Sequence, residues 1–200
     1  MQPFCVTELT LEQVRAAYAG LLAPAFPVDE LKPLRRIEAA LKRGEYLCYG
    51  AVAEGDVLGV AFFVRIRREG RTQMLFDYLA IRPALRCRGI GGAFLRALIE
   101  GPLRGAGTVL LEVDDPERAD SPEERALRRR RLAFYLRNGL YDTGARAVVY
   151  GVAYRILALP GGEPLTAGQA RGMYAALYRA IFPPHTYRHR VIIEGDDPSP

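Results

Sequence analysis

Several features typical of secreted, membrane-spanning and metal-binding proteins are missing from this 200-residue sequence. No apolar run approaches the roughly 20 residues that cross a bilayer. The first ten residues lack a basic region followed by an apolar one, so we expect no signal peptide. The three cysteines, Cys5, Cys48 and Cys87, lie far apart and have the spacing of neither a metal site nor a disulfide framework. We therefore expect a cytoplasmic protein with no membrane association and no bound metal.

Internal repeats and low-complexity linkers are also missing, and the only plausible seam is Pro160–Pro164. Half of the residues are hydrophobic and 26% are charged, which is ordinary for a globular protein. We expect one domain over residues 1–160 and a C-terminal helical extension over 161–200 packed on the same domain. The order of the predicted elements indicates a mixed α/β (α+β) fold with one largely antiparallel sheet flanked by helices.

The predicted elements follow from hydrophobic periodicity, turn residues and helix caps. The first part of the chain is predicted to form a strand over 4–9, helices from Leu11 to about Leu22 and from about Asp29 to Lys42, and three strands within 45–81. A helix from the glycines to about Leu103, a strand over 107–115 and a helix from about Glu123 to Arg137, capped by Ser121, are predicted next. The last predicted elements are strands over 145–151 and 152–160, a helix over Ala167–Ile181 and a strand over 189–194.

Three glycines begin a predicted helix in "ALRCRGIGGAFLRAL", residues 84–98. The first turn of a helix has backbone N–H groups without intrahelical partners, and the helix dipole adds about half a positive charge there. Gly89, Gly91 and Gly92 remove the side chains that would keep a ligand from these groups. Arg86 and Arg88 add charge, and the net charge is +5. The stretch therefore predicts a site for a pyrophosphate.

The same glycines are compatible with two further roles. In a dinucleotide-binding motif, Phe94 would stand where the third glycine belongs, and Glu112 would be the ribose-binding acid. The preceding strands look like hairpins, however, which argues against a doubly wound parallel sheet. The P-loop pattern G-x-x-x-x-G-K-[ST] is absent. The glycines could also serve only to let the helix pack tightly on a strand.

Two segments resemble motifs of the GNAT superfamily of acyl-CoA-dependent N-acyltransferases. "YLAIRPALRCRGIGGAFLRALIE" is similar to its acyl-CoA pyrophosphate motif, with Arg86, Gly89 and Gly91 in the motif positions. "RRLAFYLRNGL" is similar to a second motif, in which Tyr135 and Gly139 match. The resemblance runs from about Tyr46 to Pro160. It implies a GNAT-type sheet, acetyl-CoA as co-substrate, and transfer of its acetyl group to a primary amine of a small molecule or a peptide N-terminus.

The resemblance also implies which residues meet the co-substrate. The strand around Ile81 would pair with the pantetheine amides, and its N–H would stabilise the thioester oxygen. The following loop would hold the pyrophosphate, and some arginine side chains could reach phosphate or remain solvated. The residues expected to bind acyl-CoA are Leu79, Ala80, Ile81, Arg86, Cys87, Arg88, Gly89, Ile90, Gly91, Gly92 and Arg131.

Glu112 is the first candidate for the base that deprotonates the amine. It interrupts the apolar strand "TVLLEV", and a half-buried carboxylate is suited to accept a proton. The segment "LEV" also resembles the ribosomal-protein N-terminal acetyltransferase branch, where the matching glutamate is the proposed base. The alternative for Glu112 is a strand-end charge that faces solvent. Asp77, on a neighbouring strand, is the rival base.

Tyr135 is the candidate acid that protonates the leaving sulfur, because an ordinary phenol is neutral at pH 7. We expect Leu132, Leu136 and Leu140 to form a core-facing stripe with Tyr135 at its flank. A tyrosine at the edge of the core is the alternative. Twenty-two residues separate Glu112 from Tyr135, about twice the usual family interval, and an asparagine that often contacts CoA in that loop has no clear counterpart.

Two further functions compete with an acyltransferase. A nucleic-acid binder would use the arginine run Arg128–Arg131, although a solvated helix face accounts for that run and no nucleic-acid module is recognised. A non-catalytic acyl-CoA-binding protein would keep the glycine loop without Glu112 and Tyr135 converging. Tyr174 and Tyr178 of the last helix could wall an acceptor cleft or pack in the core, and that helix could cover the sheet or form a homodimer contact.

Overall fold

The structure, a computed structural model, describes residues 3–28, 30–68, 70–161 and 163–195. The chain forms two compact units. The first unit contains Met1–Arg65 and Phe76–Ala106, and the second contains Ile66–Leu75 and Gly107–Pro200. The elements that lie wholly or mainly in the first unit are β1 (Cys5–Glu8), α1 (Leu11–Ala17), α2 (Leu34–Lys42), β2 (Tyr46–Ala53), β3 (Asp56–Arg68), β4 (Arg71–Ile81) and α3 (Ile90–Glu100).

The strands of the first unit follow the order β1-β2-β3-β4. The pairs β1/β2 and β2/β3 are antiparallel. Residues 58–64 of β3 are buried without interruption, as expected for an apolar strand covered on both faces. Phe63 stacks on Phe76 with ring centroids 4.4 Å apart, and Phe94 of α3 is fully buried. Burying each such ring contributes about 1.5–3 kcal/mol, so these aromatics stabilise the sheet and α3.

The second unit contains the remaining strands and three helices. They are β5 (Thr108–Asp114), α4 (Pro122–Arg137), β6 (Tyr141–Val149), β7 (Val152–Ala158), α5 (Ala167–Ile181), α6 (Pro184–Arg190) and β8 (Val191–Ile193). The strands follow the order β5-β7-β6-β8, with all three pairs antiparallel. Helix α5 packs on β6, and α4 packs on β5 and β6. Within the described ranges, no helix is both long and apolar enough to reach across a bilayer.

The two units confirm the mixed α/β class with largely antiparallel pairing and flanking helices. Several predicted helix starts are also confirmed by their caps. The Ser121 side chain accepts a hydrogen bond from the Glu124 N–H, and both Thr10 and Thr166 form capping boxes. The first helix reaches Leu22, as predicted, through a wider π-helical turn over Tyr18–Leu22.

Some predicted elements need correction. The second helix begins at Leu34, because Pro33 disfavours a helical conformation at the residue before it; Asp29 lies outside the described residues. Helix α3 ends at Glu100 and not near Leu103. The segment before the last strand forms the unpredicted helix α6, whose first residue is a proline that suits a first turn.

Candidate active site

The glycine loop joins the end of β4 to α3 within the first unit. Gly89 is the N-cap of α3 with φ +81°, and no side chain among the described residues caps that helix end. A Cβ at Gly89 would meet no described atom within 4 Å. The backbone at the start of α3 is therefore open, and its first-turn N–H groups point away from the helix body. This is the geometry that a pyrophosphate requires, so the loop fits the expected group.

The arginines of this loop have different surroundings. Arg86 is exposed, and its Nε donates to the Ile81 carbonyl over 3.1 Å, which ties the loop to the end of β4. Arg88 is exposed. Cys87, between them, has φ +60°, a left-handed conformation that is uncommon for a residue with a side chain. The loop thus turns sharply at Cys87 and again at Gly89 before the helix begins.

The strand end expected to pair with pantetheine is shaped by a close approach between β3 and β4. A Cβ at Gly59 would lie 2.4 Å from Ile81 Cδ1 and 3.0 Å from the Ala80 carbonyl oxygen. A side chain at this point of β3 would therefore displace the end of the Ile81 side chain and crowd the Ala80 carbonyl. Ala80 is buried, whereas Leu79 and Ile81 are half-buried, as expected for a strand whose side chains alternate between two faces.

Asp77 of β4 lies in a cluster with a cation and a phenol. Lys32 Nζ forms an ion pair with its Oδ1, and the Tyr46 hydroxyl donates to its Oδ2. The Asp77 side chain is only 7% exposed and that of Lys32 is 29% exposed. Burial, with the Asp77 charge and hydrogen bond as further causes, raises the pKa of Tyr46 well above its ordinary value. Tyr46 therefore stays neutral and acts as a donor.

Hydrogen bonds to two tyrosines fix the backbone N–H and carbonyl of Lys32. The Lys32 N–H donates to the Tyr78 hydroxyl over 2.9 Å, and the Tyr18 hydroxyl donates to the Lys32 carbonyl over 3.0 Å. Tyr78 in turn donates to the Glu30 carbonyl over 3.0 Å. Sequence reasoning missed both Lys32 and Tyr46, because neither belongs to a motif and both are distant from Asp77 along the chain.

Glu112 of β5 lies in the second unit and is half-buried opposite Ile156 of β7. The hydroxyls of Tyr174 and Tyr178, from α5, both donate to its Oε1. Burial, the Glu112 charge and the neighbouring Tyr178 raise the pKa of Tyr174 well above its ordinary value. The carboxylate of Glu112 is therefore not merely a solvent-facing charge at a strand end, because two neutral phenols contact it.

Tyr135 of α4 is half-buried, and its ring packs edge-on against Phe134 at 5.1 Å. Burial raises the pKa of Tyr135 to about 12; Arg131 opposes this rise and the Asp114 charge adds to it. Arg131 itself pairs with Asp114, with Nη1 and Oδ2 2.9 Å apart. A phosphate contact by Arg131 would require it to exchange this partner.

The predicted leucine stripe of α4 is wrong at Leu136. This side chain is 41% exposed, and none of the residues of α4 is buried. Helix α4 ends at Arg137, so Leu140, although buried, does not continue the helical spacing. The half-buried face of the helix packs on β5 and β6, and its exposed face carries ion pairs. Arg128, Arg129 and Arg131 of the arginine run pair with carboxylates of the same unit, as a solvated helix face would.

Comparison with known proteins agrees with this architecture. Residues 14–122, more than half of the chain, match the sequence profile described as the Acetyltransferase (GNAT) family. No curated protein matches the sequence significantly.

Solved structures show the same fold at low sequence identity. A protein described as a GNAT-family acetyltransferase from Bacteroides thetaiotaomicron superposes with a TM-score of 0.65 and 21% identity, over 88% of this chain and 97% of that one. The ribosomal-protein-S18-alanine N-acetyltransferase of Escherichia coli gives 0.54 and 23%, over 80% and 97%. A Bacillus subtilis acetyltransferase in complex with CoA gives 0.51 and 15%, over 78% and 97%.

Proposed function

Because the chain belongs to the GNAT family of acetyltransferases, we propose that it moves the acetyl group of acetyl-CoA to a primary amine, with Glu112 as base and Tyr135 as acid. The acceptor is a small-molecule amine or a peptide N-terminus. The observation that carries the proposal is the open start of α3 behind Gly89. It supports the binding of a pyrophosphate, which is the part of CoA that a helix N-terminus recognises through its backbone.

In the proposed site, acetyl-CoA supplies an activated thioester. The N–H groups that follow Gly89 hold the pyrophosphate, and the exposed Arg88 adds positive charge. The strand end Leu79–Ile81 pairs with pantetheine, and the Ile81 N–H donates to the thioester oxygen as negative charge develops there.

The proposed reaction forms one bond and breaks one. The amine nitrogen attacks the thioester carbon, so that a C–N bond forms and the C–S bond breaks. Glu112 accepts the proton that the nitrogen loses, and Tyr135 donates its proton to the departing sulfur. The raised pKa of Tyr135 keeps that proton in place at neutral pH. Exchange with water then returns Glu112 and Tyr135 to their starting states.

The choice of Glu112 over Asp77 is supported by their partners. Protonation of Asp77 would leave the partly buried Lys32 ammonium without its counter-charge, which is costly. The two phenols at Glu112 are neutral, so proton uptake there weakens hydrogen bonds without isolating a cation.

Calorimetry with acetyl-CoA, followed by thiol release across a panel of amines, tests the proposal. The panel contains a peptide with an N-terminal alanine, a polyamine and free amino acids. We expect saturable acetyl-CoA binding and thiol release with one class of amine. Binding without thiol release from any amine would support a non-catalytic acyl-CoA-binding protein, and absence of binding would remove the pyrophosphate assignment.

Gly89→Glu tests the pyrophosphate site directly. We expect it to abolish acetyl-CoA affinity, because a carboxylate would lie where the anion binds. Gly89→Ala is the matched control, since it introduces the same strain at φ +81° without charge. The control should keep most of the affinity. Equal affinity in Gly89→Glu and in the wild type would contradict the assignment.

A further inference from the structure

The last long helix places two tyrosines on one oxygen of the proposed base. Tyr174 and Tyr178 are four residues apart, so they lie on the same face of α5. Both hydroxyls donate to Glu112 Oε1. Both tyrosines also lie C-terminal to the segment that matches the family profile. Their convergence on Glu112 is thus a contribution of the later part of this chain.

We propose that Tyr174 and Tyr178 are positioning residues that hold the Glu112 carboxylate ready to accept the proton of the amine. This inference rests on the proposed function, in which Glu112 is the base. Hydrogen bonds to a charged group are among the stronger ones in proteins, and donation to the ionised form favours that form. Two phenols can therefore keep Glu112 ionised and fix its rotamer without adding a charge that would compete for the amine.

The two donors are held rigidly. Tyr174 has no exposed surface and Tyr178 is 5% exposed. Their rings lie 4.6 Å apart, and the Tyr178 ring contacts Phe182 at 5.4 Å. Helix α5 begins at the Thr166 capping box and packs on β6 of the same unit. Preorganised donors of this kind lose little freedom when the reaction takes place.

Tyr→Phe variants remove each hydroxyl while keeping the ring. We would measure the pH dependence of kcat/KM, kcat, acetyl-CoA affinity and thermal melting for Tyr174→Phe and Tyr178→Phe. Tyr150→Phe is the matched control, because Tyr150 lies in the same unit, is 55% exposed and keeps its ring contacts with Phe182 and Arg190.

We expect each α5 variant to lower kcat about tenfold and to move the acidic limb of the kcat/KM profile upward by about one pH unit. The direction follows because a carboxylate that loses a donor is less stabilised as the anion. Acetyl-CoA affinity should not change. Tyr150→Phe should match the wild type in all four measurements. A purely structural role would lower the melting temperature without moving the acidic limb, and that result would overturn the proposal.

Glu112→Gln provides the second test. Once Glu112 can no longer accept a proton, Tyr178→Phe should produce no further loss of kcat, because residues that act as a unit are not additive. An equal loss in both backgrounds would overturn the proposal. If the Tyr174→Phe variant does not fold, the measurements on Tyr178→Phe alone decide whether the proposal stands.

The two levels of proposal fail in different ways. Wild-type protein that binds acetyl-CoA but releases no thiol with any amine overturns the proposed function and the positioning role with it. Wild-type protein that transfers acetyl groups while the variants keep its pH profile overturns only the positioning role.

Discussion

Asp77 and Glu112 both lie on strands, and both carboxylates accept hydrogen bonds from tyrosine hydroxyls, yet the partners around them differ in charge. Asp77 of the first unit is paired with the Lys32 ammonium and also accepts from Tyr46. Glu112 of the second unit accepts from two neutral phenols of α5. A carboxylate paired with a cation in a partly buried site is best suited to holding structure, because any proton it takes up leaves the cation unpaired. A carboxylate held by neutral donors can change its protonation at lower cost.

The largest expected effect compares the two carboxylates directly. Glu112→Gln should lower kcat/KM for amine acetylation by roughly 10²–10⁴-fold, the range for loss of a general base. Asp77→Asn should lower it much less in the fraction of protein that remains folded. Steady-state thiol release at fixed acetyl-CoA concentration measures both. The reverse order of losses would identify Asp77 as the base.

Tyr135, the proposed acid, belongs to the same unit as Glu112. Tyr135→Phe should lower kcat about a hundredfold, with little change in acetyl-CoA affinity. Because the pKa of Tyr135 is raised to about 12, its proton should remain bound up to about pH 11. The wild-type rate should therefore not fall around pH 10 through ionisation of this group. Unchanged kcat in the variant would remove Tyr135 from the mechanism.

Asp77→Asn should destabilise the fold more than Glu112→Gln, the opposite of their order in activity. Asp77→Asn leaves the Lys32 ammonium without its carboxylate and should lower the free energy of unfolding by about 1–3 kcal/mol. Lys32 is 29% exposed, so water limits the loss. Glu112→Gln should cost less, because the Gln carbonyl can still accept from a phenol. Urea unfolding of the two variants and of Lys32→Met measures the difference, and equal losses from Asp77→Asn and Glu112→Gln would contradict it.

The smallest expected effect is a loss of stability at alkaline pH, caused by ionisation of the tyrosines that contact Asp77 and Glu112. The pKa of Tyr46 and that of Tyr174 are raised in the folded protein, chiefly by burial. Their contribution is complete below the ordinary tyrosine value near 10 and declines as pH rises above it. The decline should be on the order of 1 kcal/mol per tyrosine at pH 11. Tyr46→Phe and Tyr174→Phe should each flatten the pH dependence of unfolding between pH 9 and 11, and a profile as steep as that of the wild type would contradict the assignment.

Local features of the fold could be predicted because they depend on residues only a few positions apart. The caps at Thr10 and Ser121 and the start of α3 at the glycines each follow from such short patterns. The error at Leu136 has the same origin: a helical spacing extended to Leu140 assumes a helix that continues past Arg137, and helix ends are decided by capping and packing.

The sequence alone was enough to predict the order of most strands and helices and the open turn after Arg88 that begins α3, since periodicity, caps and glycine conformations act over short range. Which side chains contact each carboxylate depends on how distant elements pack. Lys32 reaches Asp77 across 45 positions of sequence, and Tyr174 reaches Glu112 across 62. Such contacts form when packed elements bring distant residues together, and the residue types alone do not indicate which phenol or ammonium will lie beside which acid.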